Sequence, residues 1–166
     1  FGDEMVRVAQ GLLAQPHIDT AVLRRAGLSP SQATRFMTFT EDELEKTFRW
    51  LELPHHHLLL ADSEDYPTQL RAIEAYPGAL LVSGSLQCLH DFQLAVVGSR
   101  TPSWYGERWG RLFCEKLAGW EITITSGLAR GIDGIAHRAA IQSKGKSIAV
   151  LGNGLQAIYP RRHVGM

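Results

Sequence analysis

Three short stretches of this chain combine glycine with groups able to hold an anion: Gly98-Ser99-Arg100-Thr101-Pro102, Ser126-Gly127-Leu128-Ala129-Arg130-Gly131-Ile132-Asp133-Gly134 and Gly152-Asn153-Gly154. Glycine lets backbone N–H groups come close to an anion, and a helix beginning just after such a loop adds partial positive charge. Ser99 and Ser126 can donate hydrogen bonds, and Arg100 and Arg130 bring a permanent charge with the forked geometry that suits phosphate. One such loop is better explained by a tight turn. Three in succession, two of them carrying Arg, favour a phosphate-binding rim. Asp133 reads as the cap of the following helix, with orientation of Arg130 or a water as the alternative. His137 lies one turn further on and would face near the rim, where a packed or helix-facing role outweighs a catalytic one, because no nucleophile or carboxylate partner is in view.

Other chemistries are poorly served. Gly152-Asn153-Gly154-Leu155-Gln156-Ala157 formally matches the dinucleotide pattern, but Pro160 follows too soon for a helix and the first strand carries Gly-Ser-Arg instead. No cofactor is therefore expected. There is no Gly-Lys-Ser/Thr phosphate loop and no G-x-S-x-G nucleophile elbow. His55-His56-His57 has no carboxylate or Cys at ligand spacing, so no metal is expected either.

The loops need a sheet to align them. Leu94–Val97, Glu121–Thr125 and Ser147–Leu151 read as strands, each ending at one of the glycine loops. Helices are expected at about 106–118, with Trp109, Leu112, Phe113 and Leu117 on one face, and at about 133–143. Strand–helix–strand–helix–strand with short links predicts an α/β fold with a Rossmann-like parallel sheet. All its strand ends lie along one edge, where open sheets of this kind bind ligands.

Upstream, the pattern is helical. Met5, Val8, Ala9, Leu12 and Leu13 follow an amphipathic stripe; Asp19 or Thr20 can cap a second helix that Gly27 ends. Ser29-Pro30-Ser31-Gln32 and Thr40-Glu41-Asp42-Glu43 are capping boxes for two more, the last with Leu44, Phe48 and Leu51 on one face. Ala21 to Met37 can be read as a helix-turn-helix, but its second helix offers only Gln32 and Arg35 to DNA, so a small all-α helix-hairpin module is the better reading. The expected division is residues 1–53 as the helical module, 54–91 as a connector with a loop at Asp62–Pro67, a short helix near Leu70 and Ile73 and a strand at Ala79–Val82, and 92–166 as the α/β domain.

The chain has 166 residues, 45% hydrophobic and 20% charged, which excludes wholesale disorder. No apolar run approaches a membrane span, no signal peptide is expected, and an opening Phe1 suggests a fragment. Two distant cysteines fit a reducing cytoplasm. Zero net charge hides an asymmetry: residues 1–97 hold 7 Lys and Arg against 13 Asp and Glu, whereas residues 98–166 hold 10 against 4. The second part would attract phosphates, unless the segregation is simply chance among solvated charges.

Ala95–Arg100, Tyr105-Gly106, Ser126–His137, Ala149–Leu155 and Tyr159-Pro160, preceded by Tyr66-Pro67, Leu70, Ile73, Pro77, Leu80 and Gly84, together resemble the DNA-processing protein A family (DprA, or Smf). The resemblance covers residues 54–166 well, and the first 50 residues resemble the family's sterile-alpha-motif-like module. It implies sequence-independent binding of single-stranded DNA, protection of incoming strands in natural transformation, loading of the RecA recombinase, a homodimeric full-length protein and no established catalysis. Carried over by motif, Arg100 and Arg130 match the basic DNA-binding edge, and Ser99, Gly127 and Gly131 its surroundings. Gly98, Ser126, Gly152 and Gly154 complete the expected site, with Arg108, Arg111, Lys144, Arg161 and Arg162 as a looser basic field. Trp104, Tyr105 and Tyr159 are candidates for base stacking, with Trp104 equally readable as core. The family's later Ser-Glu and Arg-Asn-Arg motifs are absent. The competing class is a phosphoribohydrolase-like nucleotide-processing enzyme on a related sheet, which needs a Pro-Gly-Gly-x-Gly-Thr loop and a catalytic Glu that the sequence lacks. A duplex-DNA regulator acting through the N-terminal helices is the third.

Overall fold

The structure is a computed structural model in which residues 2–152, 154, 155 and 160 are described. The chain divides into two compact units, Phe1–Gly84 and Ser85–Met166, the division falling inside the stretch expected as a connector.

The first unit opens with four helices, α1 (Gly2–Leu13), α2 (Thr20–Arg25), α3 (Pro30–Met37) and α4 (Glu41–Leu51). Their starts follow local chemistry. Asp19 accepts from the Val22 N–H at 2.7 Å, and both capping boxes form, Ser29 with Gln32 and Thr40 with Glu43. Gly27 adopts a φ of +102° beyond α2, letting Leu28 N–H reach back to the Leu23 carbonyl and close the helix end. The small core is Leu12, Leu23 and Ala33, flanked by Val8, Ile18, Val22, Ala26 and Leu28. Leu13 is not part of the predicted stripe's buried face; it is exposed, and Val6 is buried instead.

The same unit holds an antiparallel pair, β1 (His56–Leu60) with β2 (Ala79–Ser83), in register Leu58↔Leu81. The loop between them folds around Tyr66, whose hydroxyl donates to the Pro77 carbonyl at 2.7 Å. Arg71 lies over the Tyr66 ring and donates to the Ala61 and Ser63 carbonyls. Burial pushes the Tyr66 hydroxyl's pKa up. Of the three adjacent histidines, His56 stacks on Trp50 and hydrogen-bonds its carbonyl.

The second unit is α/β. Its sheet has the order β3 (Gln93–Ala95), β4 (Thr123–Ser126), β5 (Ser147–Ala149), parallel throughout. Helices α5 (Trp104–Gly119) and α6 (Ile132–Gln142) pack on each other and on β4. Cys114 and Ala118 of α5, Ile124 of β4 and Ala136, Ala139 and Ala140 of α6 form the core, with Val96 and Leu117 against it. Alanine on α6 lets the helices approach closely, and truncating Ile124 would cost about 2–5 kcal/mol. Burial raises the Cys114 thiol pKa, as suits an inert core cysteine. The strands are shorter than expected, although Val96 and Val150 N–H groups extend the ladder to Thr125 and Ser126. Helix α5 begins two residues earlier than expected because Ser103 caps it, accepting from the Gly106 N–H at 3.2 Å.

Candidate nucleic-acid interface

Parallel pairing puts the carboxyl ends of β3, β4 and β5 on one edge, and the glycine loops leave the sheet there. The first two loops interlock through glycine. Gly131 has a φ of +78° and ψ of −130°, and a Cβ on it would lie 2.1 Å from the Ser99 carbonyl oxygen and 2.7 Å from the Arg100 carbonyl carbon. A side chain at 131 would therefore collide with the neighbouring loop's backbone. The Ile132 N–H donates to that Ser99 carbonyl at 3.1 Å, and a Cβ on Gly98 would lie 2.7 Å from the Ile132 side chain. The backbones carrying Arg100 and Arg130 are thus held against each other.

Both guanidinium groups belong to exposed residues, and among the described residues neither side chain makes a hydrogen bond or ion pair. Arg100 borders a recess of about 560 Å³ with Thr101, Pro102, Glu107, Gly131, Ile135 and Arg138. The Ser99 Oγ accepts from the Thr101 N–H at 3.1 Å, which leaves its own proton for a ligand.

Three expectations require correction. Ser126 is 4% exposed, and its hydroxyl donates to the Val96 carbonyl at 2.6 Å. Its one proton pins β4 to the residue after β3 and is not offered to the rim. Asp133 is not the cap of α6; Gly131 holds that position and Asp133 sits in the first turn. Its buried carboxylate accepts from the Ala129 N–H at 3.3 Å and lies where a Cβ on Gly127 would come within 2.9 Å, so it braces the second loop from beneath. His137 does not approach the rim. It is 2% exposed, with Nδ1 2.6 Å from the Ser147 Oγ, which itself donates to the Ile124 carbonyl at 3.1 Å. Because the serine proton is committed to Ile124, the network assigns a proton to His137 Nδ1. Ser147 opens β5, so this chain of bonds lies toward the amino end of the strands, away from the loops.

In the third loop, a Cβ on Gly152 or Gly154 would meet no atom of the described residues within 4 Å, and Gly154 has a φ of +77°. Asn153, Gln156, Ala157, Tyr159, Arg161 and Arg162 lie outside the described residues. Trp104 and Tyr105 are 71% and 64% exposed, so Trp104 is not a core residue. Arg108, Arg111 and Lys144 are exposed as well, and Lys144 follows α6 with a φ of +57°. At the opposite end of the sheet, Lys146 pairs with Asp91 at 2.8 Å; the hydrogen bond from Lys146 holds the Asp91 carboxyl below its ordinary pKa, and Asp91 in turn raises Lys146.

A parallel α/β sheet whose interlocked glycine loops carry exposed arginines with no ion pair among the described residues, accompanied by a small helical module, is the class of fold the structure defines, and the comparisons with known proteins narrow it. Residues 57–166 match the family described as DNA recombination-mediator protein A, and residues 2–49 match the SMF/DprA SAM domain. The chain belongs to this DprA/Smf family. It is 63% identical over 163 residues to Protein Smf of Escherichia coli strain K12, covering 98% of this chain and 44% of that protein. It is 38% identical over 127 residues to DNA processing protein DprA of Streptococcus pneumoniae, covering 76% of this chain and 43% of that one. The chain thus spans under half the length of these relatives. The X-ray structure of DprA from S. pneumoniae superposes with a TM-score of 0.72 at 30% identity, over 98% of this chain and 56% of that one. DNA processing protein A from Helicobacter pylori, solved for its single-stranded DNA binding mode, gives a TM-score of 0.56 at 26% identity over 65% of this chain and 48% of its own. Among the described residues no helix is long and apolar enough to cross a membrane.

Proposed function

We propose that this chain binds single-stranded DNA without sequence preference at the carboxyl edge of its parallel sheet, as a DNA-processing and recombination-mediating protein rather than an enzyme. Ser99 and the backbone at Gly98, Gly127, Gly131, Gly152 and Gly154 would meet phosphates, while Arg100 and Arg130 neutralise them. The observation that carries this reading is the seating of Gly131 against Ser99 and Arg100, which brings two arginine-bearing loops together with neither guanidinium hydrogen-bonded or ion-paired among the described residues. The single-stranded DNA binding of the H. pylori relative supports the ligand class, and the recombination-mediator family description supports the process. Loading of RecA onto strands taken up by the cell, a homodimeric full-length protein and a cytoplasmic location complete the proposal.

The test is binding of fluorescent oligonucleotides across a salt titration. Arg100→Ala and Arg130→Ala should each weaken binding for all sequences alike and lower the log–log salt slope by about 0.7 for each phosphate no longer neutralised. Unchanged affinity and slope in both variants would overturn the assignment. Turnover of nucleoside monophosphates by the full-length protein would point to the phosphoribohydrolase class instead.

A further inference from the structure

The recess at Arg100 does not end at the loops. It shares Glu107, Ile135 and Arg138 with a longer groove between α5 and α6, lined further by Trp104, Arg108, Arg111 and Gln142. Trp104, Arg108 and Arg111 recur at i, i+4 and i+7 on α5, and Arg138 and Gln142 at i and i+4 on α6, so each set shares one helix face. Arginines dominate this lining, against the single carboxylate of Glu107. Among the described residues Arg111 has only a long, exposed ion pair with Glu115 at 3.8 Å, and Arg108 and Arg138 have none. Arg108 sits 5.4 Å from the centre of the Trp104 indole, which stays 71% exposed. A basic track with an exposed aromatic beside it is the chemistry of single-strand binding grooves.

We infer that the α5/α6 groove carries the strand onward from the loop edge, holding the sugar-phosphate backbone of single-stranded nucleic acid on Arg138, Arg108 and Arg111 with a base stacked on Trp104. The inference rests on the loop-edge reading above and extends it. From Trp104 to Arg111 the groove runs about 10 Å along α5, the axial span of about three stacked nucleotides.

The test compares oligothymidylates of about 4 and about 12 nucleotides, within the range of compact single-strand sites, on the whole chain. Arg108→Gln with Arg111→Gln should lower the salt slope for the longer strand by about 1.4 and leave the shorter one unchanged. Arg108→Lys with Arg111→Lys should restore the slope, and Trp104→Ala should weaken the longer strand about 5- to 100-fold. An unchanged slope for the longer strand, while Arg100→Ala still weakens the shorter, overturns the groove alone. Short-strand binding indifferent to Arg100→Ala, with the glutamine pair still felt by the longer strand, overturns the loop-edge reading and the continued path together. Competition by thymidine monophosphate as strong as that of the longer strand shows a mononucleotide pocket and also overturns the proposal.

Discussion

The same change, glycine to alanine, should have three different outcomes at the three loops. At Gly131 two costs combine. The backbone sits at φ +78°, ψ −130°, a region alanine adopts only with about 1–3 kcal/mol of strain. Its Cβ would also lie 2.1 Å from the Ser99 carbonyl oxygen, a backbone atom that moves only if the whole first loop moves, and such overpacking costs about 1–3 kcal/mol more. Gly131→Ala should therefore destabilise the α/β unit by about 2–6 kcal/mol. Gly98 lacks the left-handed φ but meets the branched Ile132 side chain at 2.7 Å, so Gly98→Ala should cost about 1–3 kcal/mol. A Cβ on Gly152 would meet no atom of the described residues within 4 Å, and Gly152→Ala should stay within about 0.5 kcal/mol of the parent. Urea unfolding followed by circular dichroism ranks the three, with equal slopes required for the comparison. Single-strand affinity should fall in the same order, since loop spacing is what the first two changes disturb. A Gly131→Ala protein as stable as Gly152→Ala would refute the claim that the two arginine loops are interlocked.

Further outcomes follow from individual hydrogen bonds and ion pairs. Ser126→Ala should cost about 1 kcal/mol by removing the bond to Val96 yet leave the salt slope of DNA binding unaltered; a changed slope would return that hydroxyl to the rim. Thr40→Ala removes the capping box of α4 and should cost the helical unit about 1 kcal/mol in thermal or urea unfolding. The Asp91–Lys146 pair shapes stability at both pH extremes. Asp91 is held below its ordinary 3.8, so its contribution is present above that value and lost as pH falls through the lower folded one; Lys146 is raised above 10.5, so its share persists below 10.5 and is lost as pH climbs past the folded value. The stability difference between the parent and Asp91→Asn should accordingly be flat between those limits and shrink beyond each, read from urea midpoints across pH.

Local chemistry was legible in the sequence and remote chemistry was not. The Ser29–Gln32 and Thr40–Glu43 boxes close within three residues, so residue type and spacing determine them. The bond from Ser126 to Val96 spans 30 residues and exists only because two strands pair, which no spacing rule exposes. Asp133 looked like a cap because it precedes an apolar helical pattern, but Gly131 could take a conformation closed to other residues and started α6 earlier. Ser103 was a missed local signal: a serine just after Pro102 and three before Gly106 is a cap by type and position. The pairing of β1 with β2 was hidden because Leu58–Leu60 is a bare apolar run, which helix and strand share. The helical periodicity of α4 was real, yet Leu44 and Phe48 remain exposed at 46% and 61%, for an amphipathic stripe predicts a face and not its cover.

The seat of Gly131 also bears on which nucleic acids could fit. Two loops joined backbone to backbone cannot spread apart to follow a visitor, so the adjustment falls on the ligand. Duplex DNA keeps its direction over about 150 base pairs and bends only at a cost of several kcal/mol, whereas an unpaired strand can rotate its phosphates into a preset interval cheaply. On the proposed reading, a stiff receptor of this kind would discriminate by the pliancy of what it receives, with no need to touch a base.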